Sequence, residues 1–146
     1  MSIRSDIAEA VKDELAAAAG MLGITQAVIA RTRVPLYDLA DLGVIHLTVV
    51  GRSFEQERAS RADVQTDVEI DIAVQKKVPS DQPSEIDPLA DLVEAVIALF
   101  QDLELAGCPD AVWIRTANPV MYIPEHLDEK RLFTSVITLS YRVVSA

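Results

Sequence analysis

The chain has 146 residues, with thirteen Lys or Arg against twenty-three Asp or Glu, which gives a net charge of −10. This length suits one ordinary domain, which can bury a core without help from disulfides or metals. The acidic balance argues against nucleic-acid binding as the main role, because phosphate contacts need clusters of Lys or Arg. The single cysteine, Cys108, excludes an intrachain disulfide and fits a reducing compartment.

The N-terminus does not have the pattern of a targeting or membrane segment. Residues 1–19 carry Asp6, Glu9 and Asp13 among their apolar residues, whereas a signal peptide has an uninterrupted apolar core after a basic start. The longest apolar runs fall short of the roughly 20 residues that a membrane span needs. We therefore expect no membrane partner.

The first predicted element is an amphipathic helix. Between residues 3 and 22, apolar residues recur at spacings of three and four, which places them on one helical face. Ser2 or Ser5 can cap its start, and Gly20 or Gly23 can end it.

Three predicted strands follow this helix. Residues 26–34 are rich in β-branched side chains, and residues 44–50 alternate between apolar and polar. After a polar segment at 51–62, interpreted as a long hairpin arm or a mobile loop, residues 64–74 alternate most clearly. A period of two indicates a sheet with one packed and one polar face. Residues 36–43 are predicted to be a connector.

A second helix is predicted after a linker at residues 79–88 that is rich in Pro, Ser and Asp. Asp87 is predicted to be its N-cap, with Pro88 at the first helical position, since both residues are favoured there. An apolar stripe then continues to Leu103, and Gly107 is predicted to stop the helix.

The last elements are a short strand at 111–115, a charged turn or short helix at 125–131 and a long strand at 133–144. The order is then helix, three strands, helix, two strands, which predicts an α+β fold. We expect a single domain over residues 1–146. Its mainly antiparallel or mixed sheet of four or five strands is packed by two main helices.

The sequence contains no phosphate loop, dinucleotide fingerprint or paired-cysteine metal spacing. We therefore expect no catalytic residue, no cofactor and no metal. His46 lies on the other face of its strand from Leu47 and is expected to be a surface or interface histidine. His126 lies in a charged turn and is expected to be solvated. Cys108 follows a predicted helix C-terminus, where the helix dipole disfavours a thiolate.

Three carboxylates form an acidic row on the clearest strand. Asp67, Glu69 and Asp71 share one face and are flanked by Gln65 and Gln75. Three such groups could recruit a hard cation, but no turn makes them converge. We interpret this acidic strand face as a solvated or partner-facing surface.

Three arginines cluster in the segment 51–62 of an otherwise acidic chain. Arg52, Arg58 and Arg61 lie there together with Phe54. One interpretation is a solvated loop; the other is a protein-contact arm, because Arg and aromatic residues are enriched where proteins meet. In a ring, such an arm can reach the acidic strand face of the next copy.

The chain resembles the phage tail terminator, or tail completion, family of small phage and prophage neck or minor tail proteins. The resemblance rests on four stretches: VPLYDLADLGVIHLTVVGRS at 34–53, SRADVQTDVEIDIAVQKKV at 60–78, DPLADLVEAVIALF at 87–100 and PEHLDEKRLFTSVITLSYRV at 124–143. Family members share an arginine before an acidic alternating strand, and a C-terminal strand with Phe-Thr-Ser. The resemblance covers nearly all of the chain beyond the first helix.

The resemblance implies a structural virion protein with no catalytic residues. Six copies would form a homo-hexameric ring at the head-proximal end of the tail tube, where the ring stops tube polymerisation and joins the tail to the neck. Its partners would be the tail tube protein, the neck or head-closure protein and, in a contractile tail, the sheath protein. DNA would only pass through the lumen, which the acidic strand face could line. Assembly would take place in the bacterial host cytoplasm, and the ring would reside at the tail–neck junction of the virion.

Other functions are compatible with the same pattern. One is a head-closure protein, a head–tail adaptor or another neck protein. A second is a small oligomeric α+β ligand-binding protein or enzyme, with a site between subunits that uses residues such as Arg31, Arg115 or His46. A dimeric binding module is a third. The native mass would separate these, since a ring of six favours the terminator.

Overall fold

A computed structural model of the chain describes residues 2–22, 28–31, 44–79, 82–119 and 121–145. The described elements, in chain order, are α1 (Ile3–Ala18), β1 (Val28–Arg31), β2 (His46–Arg58), β3 (Val64–Lys77), α2 (Pro83–Phe100), β4 (Val112–Ala117), α3 (Pro124–Lys130) and β5 (Leu132–Ser145). They form an α+β single domain, as the order of the predicted elements indicated.

The strands form one mixed sheet in the order β1-β2-β3-β5-β4. β1 and β2 run parallel, and every other neighbouring pair is antiparallel. β3 is the central strand and pairs with β5 along its whole length. The prediction of a mixed sheet with four or five strands is confirmed.

One face of the sheet carries the hydrophobic core. The even-numbered residues of β3 from Val68 to Val74 are fully buried, and they pair across the sheet with residues of β5 such as Ile137 and Leu139. α1 packs against β1, β2 and β3, whereas α2 packs against β4 and β5. The molecule therefore has two layers, with one face of the sheet covered by the two main helices, which we call the helix side.

α1 begins where the sequence predicts. The Ser2 hydroxyl oxygen accepts a hydrogen bond from the Ser5 backbone N–H at 3.1 Å, which satisfies one of the donors that a helix N-terminus leaves free. The apolar stripe, including Ile7, Val11 and Leu15, is buried against the sheet. The helix ends at Ala18, slightly before the predicted glycine stop.

α2 begins earlier than predicted, at Pro83. The prediction of a linker over residues 79–88 is therefore wrong for residues 83–88, which belong to the helix. Pro83 occupies the first turn, where a missing N–H costs nothing, and Gln82 is the N-cap. Asp87 and Pro88 lie inside the helix. Pro88 lacks the N–H that would bond the carbonyl of Ser84, a residue that is itself exposed.

The end of α2 also differs from the prediction. The helix stops at Phe100, well before Gly107, and Asp102 adopts a left-handed conformation with a φ of 54°. Phe100 itself is fully buried, as are Val93 and Val96, which confirms the predicted apolar stripe. The residues between Phe100 and β4 form a loop that packs beside α1, where the backbone N–H of Ala106 donates to the Glu14 carboxylate at 3.0 Å.

The remaining predicted elements are largely confirmed. β4 and β5 match the predicted strands at 111–115 and 133–144, and α3 is the short helix predicted at 125–131. β1 lies within the predicted strand 26–34. The connector 36–43 falls outside the described residues. Within the part that the structure describes, no helix is long and apolar enough to cross a lipid bilayer.

Candidate subunit-contact surfaces

The segment 51–62 is a β-hairpin arm. β2 continues through it to Arg58, and its last residues pair with the start of β3, so that Arg58 lies opposite Val64. The Ser60 hydroxyl donates to the Asp63 carboxylate at 2.9 Å across the connecting turn. Of the two interpretations offered by the sequence, a long hairpin arm is confirmed over an unpaired loop. We call residues 51–62, with Asp63 of the turn and the paired residues 64–66 of β3, the hairpin arm.

The arm begins at a β-bulge in β2. The pairing register shifts between Gly51 and Ser53, and such bulges bend and twist a strand. A Cβ atom on Gly51 would come within 3.0 Å of the Arg4 side chain, so the arm passes close beside the start of α1. β1 pairs only with the first part of β2, so among the described strands none flanks the outer edge of the arm.

The four predicted arm residues do not share one surface. Arg52 turns to the acidic strand face of its own subunit, where its Nη1 lies 3.2 Å from the Glu69 carboxylate and 3.8 Å from that of Asp71. Phe54 and Arg58 lie on the helix side. They pair across the hairpin with even-numbered residues of β3, and the even-numbered residues of this strand face the core. Phe54 is 57% exposed.

Arg58 and Arg61 keep their charges uncompensated. Both are exposed, and no ion pair formed within the described part of the chain includes either of them. Of the three arginines in the predicted arm, one is therefore already paired and two remain available to a partner.

The acidic strand face is largely neutralised within the subunit. The Arg142 guanidinium donates to both carboxylate oxygens of Asp67, at 2.8 and 3.2 Å. This hydrogen bonding is the largest cause that lowers the pKa of Asp67. Burial opposes it, and the charge of Arg142 adds to the lowering. The Thr138 hydroxyl donates to Asp71 at 2.7 Å, so each of the three carboxylates has a partner in its own chain.

These carboxylates are spread along the strand and do not converge. Asp67, Glu69 and Asp71 alternate with core residues and lie side by side on one face, as predicted. No group of three or more His, Cys, Asp or Glu side chains that could hold a metal ion occurs among the described residues.

His46 is not a surface histidine, contrary to expectation. It does lie on the face opposite the core, but it is only 5% exposed, and its Nδ1 is 3.1 Å from the Val44 carbonyl oxygen. Its cross-strand neighbour Gln75 is buried as well, and so is Thr134, which pairs with Gln75 one strand further on. Alternation fixes the face on which a residue lies, but it does not reveal that this end of the polar face is covered.

His126 is also less solvated than predicted. It is half-buried on α3, and its Nδ1 lies 3.0 Å from the Thr134 hydroxyl oxygen. Thr134 therefore connects the second histidine to the buried polar row that contains His46 and Gln75. The sequence does not indicate this, because the two histidines are separated by most of the chain.

The residues proposed for a site between subunits are not brought together within one chain. Arg31 pairs with Glu9 of α1 at 2.8 Å on the helix side. Arg115 is exposed on β4, three strand spacings or about 14 Å from the β2 strand that carries His46. Each of them lies in a different environment.

Cys108 is a half-buried thiol beside acidic groups. Burial, followed by the negative charges of Asp6 and Asp110, raises the pKa of the Cys108 thiol. The neutral thiol is favoured, in the direction predicted from the sequence, although the main cause is burial and not the helix terminus.

Sequence reasoning missed an acidic groove at the β4 edge. This groove has a volume of about 180 Å³. Its lining includes Asp102, Glu104, Pro109, Val112 and Trp113. Among the described ion pairs none includes either acidic residue. The groove escaped prediction because Asp102 was assigned to a longer helix, although the run of Asp, Glu and Trp from 102 to 113 signals it.

No protein-family model matches the chain, and a search of curated proteins finds no match.

Proposed function

We propose that this chain is a tail terminator, the subunit of a ring that caps the head-proximal end of a phage tail tube. The ring stops tube polymerisation and joins the tail to the neck. The proposal takes its identity from the four sequence stretches that resemble the terminator family. Three of them fall on the hairpin arm with β3, on α2, and on α3 with β5.

The observation that carries the proposal is the hairpin arm. It holds Phe54 exposed on a hydrogen-bonded β-hairpin beside unpaired arginines. Aromatic and Arg side chains are enriched at protein interfaces. This suits a subunit whose work is to contact other proteins, and the proposal assigns it no catalysis and no cofactor.

The proposed partners are further copies of the chain, the tail tube protein and the neck or head-closure protein, with the sheath protein added in a contractile tail. DNA passes through the lumen without being held. The acidic strand face suits the lumen, because its two guanidinium groups are already engaged by three carboxylates. The three carboxylates outnumber these two guanidinium groups, so the row keeps a net negative charge, which repels DNA phosphates.

A charge reversal tests whether this face lines the lumen. Replacing Asp67, Glu69 and Asp71 together by Lys should hinder DNA ejection from assembled particles while leaving the tail length unchanged. The cause would be new phosphate contacts in the channel. Ejection at the parent rate from tails of normal length would instead place the face on the outer wall or inside a subunit contact.

Imaging tests the proposed function itself. The purified protein would be mixed with tubes grown from the tail tube protein of the same phage or prophage, and negative-stain images would be averaged at the tube ends. We expect a ring at one end of each tube and no further growth from that end when fresh tube protein is added. A ring that binds isolated neck proteins but never a tube would identify a head-closure protein instead. A dimer both in solution and on tails would contradict the ring.

A further inference from the structure

Two uncovered surfaces lie at opposite lateral edges of the sheet. The strand order places the arm portion of β2 towards one edge and β4 at the other. Each surface combines exposed apolar side chains with charges that no ion pair among the described residues includes, and the two sets of charges have opposite sign.

The arm surface has an apolar centre and a basic rim. On the helix side of the arm, Phe54 and Val64 are exposed, and Ile3 at the start of α1 lies beside the same cleft as Phe54. Arg58 lies directly opposite Val64 on the hairpin, and Arg61 follows in the turn. Interface hot spots are enriched in aromatic and Arg side chains, and the arm supplies one aromatic ring and two arginines.

The acidic groove has the complementary composition. Trp113 lies on the helix side, because it pairs with the buried Tyr141, and Val112, which is 60% exposed, lines the groove at the strand edge. The Trp113 indole N–H already donates to the Thr116 hydroxyl at 2.9 Å, so the ring can be covered by an apolar side chain without losing a hydrogen bond. Asp102 and Glu104 supply the negative charge.

We infer that the arm of one copy of this chain occupies the acidic groove of the next copy. Phe54 packs on Trp113, while Arg58 and Arg61 pair with the carboxylates of Asp102 and Glu104. The two surfaces differ and lie at opposite edges, so the contact is heterologous and repeats from copy to copy, which closes into a ring when the rotation permits. The inference rests on the proposed function, whose ring it explains.

Two observations favour this contact over the alternatives. The acidic strand face, which the sequence suggested as the target of the arm, is already engaged by Arg52 and Arg142 of its own chain. Direct strand-to-strand pairing between copies is disfavoured because both edge segments carry a register shift, one at Gly51/Ser53 and one at Trp113/Arg115. Bulges hinder the addition of another strand at a sheet edge. The contact is therefore made by side chains and not by backbone pairing.

Cysteine crosslinking of the purified full chain tests the contact without any tail. In a Cys108→Ser background, Arg58→Cys and Glu104→Cys would be made separately and treated with a short bis-maleimide. We expect crosslinked dimers only when the two variants are mixed, because the contact joins different surfaces. The double variant should give a ladder of oligomers. Dimers from either variant alone, or no dimers from the mixture, would overturn the inference. The matched control is Arg58→Cys mixed with Glu94→Cys, an exposed acidic position on α2, which should not crosslink.

Charge reversal provides a second measurement that misfolding cannot imitate. In the crosslinkable mixture, Arg61→Glu on the arm-bearing copy should weaken crosslinking, and Asp102→Arg on the groove-bearing copy should restore it. Restoration requires both variants to be folded, so it supports the contact directly, and failure to restore counts against it.

Failure of the inference and failure of the proposed function would be distinguishable. Tubes that are still capped by a protein without the arm–groove crosslink leave the terminator role intact and refute this contact. Crosslinking through the groove, by a protein that never caps a tube, supports the contact and refutes the terminator role.

Discussion

The β2–β3 hairpin has two halves that differ in what covers them and not in how they are paired. In the half near the helices, Leu47 and Val49 pair with Val74 and Ile72, and all four are fully buried. In the hairpin arm, the same ladder of pairs continues, but Phe54 lies exposed. Backbone pairing alone contributes little net free energy, since unfolded strands bond to water instead. Apolar cover therefore separates the half that stabilises the fold from the half that is free to make contacts.

Helix placement explains this difference. α1 packs on β1, β2 and β3, and its first turn lies beside Gly51, where the arm begins. Fully burying one large aliphatic side chain is worth about 1.5–3 kcal/mol. The half near the helices gains this burial free energy for several residues. The arm is held instead by its turn and by hydrogen bonds such as that from the Gln56 amide to the Thr66 hydroxyl at 3.1 Å.

The largest expected effect is in the near half. Ile72→Ala should lower the free energy of unfolding by about 2–5 kcal/mol, because it leaves a cavity at the centre of the core. The matched arm variant, Phe54→Ala, should change it by no more than about 0.5 kcal/mol. Urea unfolding of both variants measures the difference, and equal losses would show that the arm belongs to the fold.

Two glycines provide a smaller version of the same contrast. A Cβ atom on Gly107 would lie 3.2 Å from the Cβ of Ala10, which is buried in α1, so Gly107→Ala should cost about 1 kcal/mol through overpacking. On Gly51 the close neighbour is the Arg4 side chain, which is exposed and can rotate away. Gly51→Ala should therefore be close to neutral in thermal unfolding. A larger loss at Gly51 than at Gly107 would contradict this account.

Much of the fold is predictable from local pattern. Apolar and polar residues alternate along β3, and apolar residues form a stripe on α2. Both patterns can be recognised in the sequence because each element has one buried face and one polar face. The start of α2 was not predictable, since Asp87-Pro88 and Gln82-Pro83 both resemble helix starts and only the tertiary structure selects between them.

The contact surfaces were predictable in composition but not in geometry. The cluster of Arg and Phe in segment 51–62 was visible, but one bulged register sends Arg52 and Phe54 to opposite sides of the hairpin. The pairing of Asp67 with Arg142 links residues far apart in sequence, and no spacing rule indicates it. The acidic groove depends on where α2 ends, so an error of a few residues there conceals it.

The pairing of Asp67 should appear as a pH-dependent loss of stability. Because the folded state lowers the pKa of Asp67 below its ordinary value of 3.8, the pair stabilises the fold above that pH. The stabilisation is lost as the pH falls through the folded-state value. Asp67→Asn should therefore be less stable than the parent at pH 7, and the difference should shrink below about pH 4. Thermal unfolding across pH measures it, with Asp91→Asn, a substitution of an exposed acidic residue on α2, as the matched control.

The smallest expected effect on stability is in the arm's arginines. Replacing Arg52, Arg58 and Arg61 together by Ser should change the free energy of unfolding by about 0.5 kcal/mol or less, as is usual for surface substitutions. Any loss should come from Arg52, which alone of the three pairs within the described part of the chain. The Arg52→Ser single variant should therefore reproduce the whole change, while Arg58→Ser with Arg61→Ser should match the parent in thermal unfolding. Tail completion should show the reverse order, with the Arg58 and Arg61 pair impaired more than Arg52→Ser, because only the unpaired guanidinium groups are free to reach another subunit. Completion at the parent level with Arg58 and Arg61 removed would mean that the arm's charges serve neither the fold nor the assembly.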